Sequence, residues 1–91
     1  MTVNLKARGE TAGDLAALML EVSGRAVKDP GNQYYRVFRA HDDPTAFTIM
    51  EAWDREADFQ AHMAADWVAE VNAKIGPLVE GEPTARVHSQ L

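Results

Sequence analysis

The chain of 91 residues has no cysteine. That absence excludes disulfides, thiolate nucleophiles and cysteine-ligated zinc or iron–sulfur centres together. Positive charge is also scarce: nine Lys and Arg stand singly against 14 Asp and Glu, for a net charge of −5. Nucleic acid and anionic membrane surfaces are therefore poor partners for it. Its longest aliphatic run, Leu15 to Leu20, falls far short of a membrane span. The start, MTVNLKARGE, lacks the apolar stretch of a signal peptide, so a cytoplasmic location is expected. No repeat, low-complexity tract or linker interrupts the chain, and residues 1–91 are expected to form one domain.

The apolar fraction of 46% and the charged fraction of 25% are those of a globular protein. A chain this short buries roughly 60–65% of its unfolded surface, and oligomerisation is a common remedy for so small a core.

Residues 2–8 alternate strictly, with Val3, Leu5 and Ala7 on one face of a half-polar strand. Thr11-Ala-Gly-Asp14 looks like a capping box. Leu15, Leu18, Met19, Val22 and Ala26 then form a helical stripe, which Asp29-Pro30-Gly31 ends. Gln33–Ala40 and Ala46–Trp53 read as a hairpin around His41-Asp42-Asp43-Pro44-Thr45. Placing His41 opposite Ala46 sets Tyr34 against Trp53, Arg36 against Glu51 and Phe38 against Ile49. That register gains aromatic and aliphatic pairs and one ion pair, and is preferred over a slip that puts Arg39 beside Phe47. Asp54 is the expected cap of a second helix, in which Phe59, Met63, Trp67, Val71 and Ile75 recur every four residues. Such a ridge drifts about 40° per step, so the helix should bend or wrap. Gly76-Pro77 stops it, and Thr84 to Gln90 alternate as a last strand.

The order β-α-β-β-α-β with right-handed crossovers gives an α+β, ferredoxin-like fold: a four-stranded antiparallel sheet with two helices on one face. The hairpin strands are apolar on both faces and the helices cover only one. A second copy of the sheet is the simplest cover, so a homodimer is expected.

The string DPGNQYYRVFRAHDDPTAFTIMEAWDREADFQAHM resembles the core of the antibiotic biosynthesis monooxygenase family. Asp29, Pro30, Gly31, Tyr35, Asp43, Pro44, Phe47, Glu51, Trp53, Ala61 and His62 carry the resemblance, in order and at similar spacing. The Pro-Gly-Asn turn is most similar to the quinol monooxygenase and phospho-autoinducer isomerase branch. The resemblance implies a dimeric α+β barrel. It also implies oxidation of small phenolic or quinol-like substrates by O₂ without metal or flavin; other members isomerise small sugars or degrade haem. Two positions depart from the pattern. Trp67 stands where the quinol branch often has a second His, and Asn72 stands where the haem-degrading branch has its His, so haem degradation is set aside.

Oxygenation without a cofactor needs a base, donors that stabilise the substrate anion, and a dry pocket. His62 is the natural base, since imidazole titrates near neutrality; its plain alternative is a helix residue satisfied by a neighbour. Glu51 either orients His62, acts as base itself, or pairs with Arg36, the last being the simplest account. Asn4 either donates to a substrate oxygen or faces solvent. Trp53, Tyr34 and Tyr35, with Phe59 and Trp67, either face an aromatic substrate or fill core and interface. Arg86 and His88 are read as dimer or solvent contacts. His41-Asp42-Asp43 cannot converge on one metal ion without further ligands. Two functions stand: an enzyme on a small molecule, either a monooxygenase or an isomerase, and a non-catalytic dimeric binding or stress-response module.

Overall fold

The computed structural model describes residues 1–91. Strand β1 (Thr2–Lys6) leads through a short 3₁₀ turn into helix α1 (Ala12–Ala26). Strands β2 (Asn32–Arg39) and β3 (Ala46–Trp53) form the hairpin; helices α2 (Glu56–Met63) and α3 (Asp66–Ile75) follow, and strand β4 (Thr84–Arg86) closes the chain. The sheet runs β2-β3-β1-β4 with every neighbouring pair antiparallel. This is the ferredoxin-like arrangement, with β3 and β1 in the middle as the apolar run from Phe47 to Trp53 requires. No helix is long and apolar enough to cross a membrane.

The core forms where the helical stripe meets the alternate positions of the strands. Leu15, Met19, Val22 and Ala26 pack on Leu5, Ala7, Tyr35, Phe47 and Ile49, joined by Val71 and Val79. Leu15 and Met19 are fully buried. Leu18 is only partly buried, at the edge of the stripe. Val79 enters because Ala7 bridges to it after β1 has ended.

The hairpin takes the register that pair counting disfavours. Tyr35 faces Glu51, Val37 faces Ile49 and Arg39 faces Phe47. A slip of one residue turns every β2 side chain over. Tyr35 and Val37 therefore face the helices, while Tyr34, Arg36 and Phe38 face away. The cause is the cost of burying a guanidinium. The expected register would have put Arg36 beneath the helices. In the observed one Arg36 stays exposed over the Tyr34 ring at 4.6 Å, and Arg39 lies at the hairpin end over Phe47 at 4.9 Å. There is no Arg36–Glu51 ion pair. The turn fits this register, since Asp43 Oδ1 accepts from the backbone N–H of Thr45 at 3.0 Å and from its hydroxyl at 2.7 Å.

The second helix is broken rather than bent. Ala65 is extended (φ −67°, ψ 140°) and separates α2 from α3. The break resets the drifting ridge, so that His62, Val68 and Val71 are buried while Met63 is exposed. Neither expected cap is made. The Thr11 hydroxyl donates to the Leu78 carbonyl at 2.7 Å, and Asp54 accepts from Gln33 Nε2 at 2.9 Å instead of closing α2. The last strand is also shorter than its alternation suggests, ending at Arg86 with all three residues exposed.

Candidate functional site

The site begins at the turn after α1. Asp29-Pro30-Gly31-Asn32 is closed by the Asn32 N–H donating to the Asp29 carbonyl at 3.2 Å. Proline sets the second position, and Gly31 takes φ +81° at the third, as a type II turn requires. The Gly31 carbonyl accepts from the Asp54 N–H at 2.7 Å, tying the turn to the end of β3. Asp58, held by two hydrogen bonds from Arg55 at 3.1 and 2.9 Å, occupies the space a Cβ on residue 31 would fill.

This turn delivers Asp29 to His62. Asp29 Oδ2 and His62 Nδ1 are 2.7 Å apart, and the imidazole side chain is only 4% exposed. His62 is thus enclosed within the helix–sheet layer, where its helical position suggests the rim. It is walled by Trp53, Trp67 and Tyr35, with ring centres 4.8, 5.4 and 6.3 Å away. Arg25 of α1 lies over the outer face of Trp67 at 4.4 Å.

Glu51 is the second buried ionisable group, at 3% exposure. It points to the helix side from the middle of β3, and its Oε1 accepts from Trp53 Nε1–H at 3.0 Å. Burial, and then the Glu51 charge, push the Tyr35 phenol far above its ordinary value, so Tyr35 stays a neutral O–H. The carboxylate that orients His62 is Asp29, and Glu51 is held by an indole instead.

A cleft of about 970 Å³ opens beside Glu51, Trp53, Phe59 and Gln60, with Gln33, Tyr34, Met50 and the segment Val87–Gln90 on its other sides. Trp53 and Phe59 lean together there, ring centres 6.3 Å apart. Glu51 reaches this cleft, whereas His62, Tyr35 and Trp67 do not line it. Asn4 is elsewhere: it accepts from the Thr48 hydroxyl at 2.7 Å and borders a separate hollow of about 370 Å³ with Lys6, Phe38 and Glu80. No three His, Asp or Glu side chains stand close enough to hold a metal ion.

Six of the eight residues singled out from the sequence therefore gather in one place: Tyr35, Glu51, Trp53, Phe59, His62 and Trp67. Tyr34 reaches the cleft from the opposite sheet face, and Asn4 does not reach it. Asp29 was legible as a helix stop and as part of the family pattern, but not as the partner of His62, because nothing in the sequence ties it to a residue 33 positions away.

Residues 1–74 match the antibiotic biosynthesis monooxygenase family. The chain belongs to that family. Among solved structures it is similar to a candidate antibiotic biosynthesis monooxygenase from Nitrosomonas europaea, with TM-score 0.93 at 17% identity over 99% of this chain and 95% of that one. A candidate antibiotic biosynthesis monooxygenase from Deinococcus radiodurans follows, with TM-score 0.85 at 24% identity over 100% and 95%. An antibiotic biosynthesis monooxygenase structure aligns at TM-score 0.92 and 18% identity over 99% and 95%. At these identities the likeness is one of fold. No protein of curated function matches the chain.

Proposed function

We propose that this chain is a cofactor-independent monooxygenase that oxidises a small phenol or quinol with O₂ in the cleft beside Glu51. The observation that carries the reading is a buried acidic residue, Glu51, that borders an aromatic-walled cleft and accepts from a single indole donor. Glu51 takes the phenolic proton. The electron-rich anion passes one electron to O₂, and the radical pair combines at a ring carbon to form a peroxide. The peroxide takes back a proton and loses water with the hydrogen of that carbon, so HO–Ar–H and O₂ give a quinone and H₂O. Trp53 and Phe59 stack on the substrate and exclude water, while His62 stands behind Trp53 as its support.

A sugar-phosphate isomerase fits less well. Arg55 is the one Lys or Arg in the cleft wall, and Asp58 already engages it. A non-catalytic binding module is favoured by one observation, that neither His62 nor Asn4 lines the cleft. The sheet face away from the helices, with Phe38 and Met50 46% and 40% exposed, supports a homodimer in which a second copy covers it.

The test is oxygen uptake by chelator-treated protein against anthrones, naphthols and hydroquinones, with ¹⁸O₂ labelling of the product. One labelled oxygen per product is expected. Tight binding of these compounds without oxygen uptake would instead establish the binding module.

A further inference from the structure

We propose that Asp29 is the positioning residue of this site: its hydrogen bond to His62 holds the imidazole against Trp53, which keeps the indole N–H on Glu51 and sets how readily Glu51 takes a proton. The inference rests on the reading of Glu51 as the proton acceptor and adds a residue from outside the cleft.

The linkage consists of three contacts in series. An ionised Asp29 can only accept, so the 2.7 Å contact fixes the proton on His62 Nδ1 and with it the orientation of the ring. The ring is then held with its centre 4.8 Å from that of Trp53, the planes tilted by 39°. Trp67 stands edge-on to the imidazole at 5.4 Å, a second aromatic wall against the ring. Trp53 in turn gives Glu51 Oε1 its one side-chain donor, at 3.0 Å. A donor on a carboxylate stabilises its charged form and lowers its basicity, so a small rotation of the indole changes the reactivity of Glu51. The other titratable and charged groups at these contacts are Tyr35, which neighbours Glu51 on β2, the Met1 ammonium, which donates to the Glu51 carbonyl at 2.8 Å, Arg25, which lies beyond Trp67, and the Asp58–Arg55 pair, which packs against Gly31.

Asp29 is well placed to act as a fixed point. Pro30 and the left-handed Gly31 hold the backbone just after it, and the Asp54 N–H binds that turn one residue beyond Trp53 itself. The turn thus holds Trp53 from two directions, through the backbone of β3 and through the His62 ring.

Asp29→Asn keeps the shape and removes the charge that fixes the His62 proton. In the chelator-treated full chain the expected result has two parts. Phenol-dependent kcat falls roughly tenfold with KM within about twofold, the size of one lost charge-assisted hydrogen bond, because the freed carboxylate loses its orientation, and the acid limb of the kcat/KM profile moves to higher pH as the donor on Glu51 is weakened. Independently of turnover, the ¹H–¹⁵N signal of the Trp53 indole shifts as its hydrogen bond to Glu51 changes. An unmoved indole signal and an unmoved pH profile, with only a lower melting temperature, would reduce Asp29 to a brace and overturn the proposal. Should Asp29→Asn fail to fold, His62→Asn cuts the same contact from the other side and is read in the same way. If the wild type oxidises no phenol, the reading of Glu51 fails, and the indole signal still decides whether Asp29 positions Trp53.

Discussion

Replacing Trp53 by Phe tests whether the Glu51 carboxylate depends on its indole donor. The side chain removed contributes one hydrogen bond at 3.0 Å to a carboxylate that is 3% exposed. A hydrogen bond to a charged group contributes about 1.5–3 kcal/mol. The smaller ring also leaves a partial cavity against His62 and Phe59, at a cost of about 1 kcal/mol. The expected loss is therefore about 2.5–4 kcal/mol, a large share of the roughly 5–14 kcal/mol that a domain of this length has in total. Packing and hydrogen bonding are separated by repeating the change in a Glu51→Leu background. There the acceptor is gone, and Trp53→Phe should cost only about 1 kcal/mol, leaving a coupling of about 1.5–3 kcal/mol. Glu51→Leu alone can be neutral or stabilising, since it removes a buried charge, and the cycle allows for that. Urea denaturation of the four proteins gives each free energy. Equal costs of Trp53→Phe in both backgrounds would refute the hydrogen bond as a source of stability.

The remaining predictions draw on other parts of the fold. The folded chain keeps the Tyr35 proton where the unfolded chain, with an ordinary pKa of 10.0, has lost it. Stability from this group is complete below that pH and falls above it, by up to about 1.4 kcal/mol per pH unit; Tyr35→Phe should flatten the alkaline limb in pH-dependent melting, and an unchanged limb would contradict it. Gly31→Ala combines a positive φ with overlap on Asp58, including its Cβ. It should lower stability by more than about 1 kcal/mol in urea titration, and a neutral result would mean that the turn relaxes. In light scattering the chain should run as a dimer at micromolar concentration, and Phe38→Glu with Met50→Glu should shift it to monomer; a wild-type monomer would remove the sheet-to-sheet interface.

Elements were legible in the sequence wherever periodicity alone decides them. The stripe from Leu15 to Ala26 and the run from Phe47 to Trp53 identified the buried helix and the central strand, and the β-α-β-β-α-β order then fixed the topology. What eluded the sequence were choices between close alternatives. Counting favourable cross-strand pairs selected a register one residue off, because pair preferences of under 1 kcal/mol are outweighed by the cost of burying Arg36. The break at Ala65 was illegible because alanine marks no helix end; only the burial of both His62 before it and Val68 after it calls for it. At the site, the cluster of aromatic residues with Glu51 and His62 was anticipated. The burial of His62 and its Asp29 partner were not, since both depend on how the turn after α1 meets α2. Both are long-range facts that spacing along the chain does not encode.

The central claim is that Glu51, and not His62, exchanges the proton with substrate. Its most direct test is kcat/KM for phenol oxidation by Glu51→Gln beside His62→Ala, each with a melting curve to show the fold intact. Glu51→Gln should lose roughly 10²-fold or more, the usual contribution of a positioned general base. His62→Ala should lose clearly less, because it perturbs only the support of Trp53. A folded Glu51→Gln with full turnover, beside a His62→Ala that loses 10²-fold, would contradict the account and make the imidazole the base.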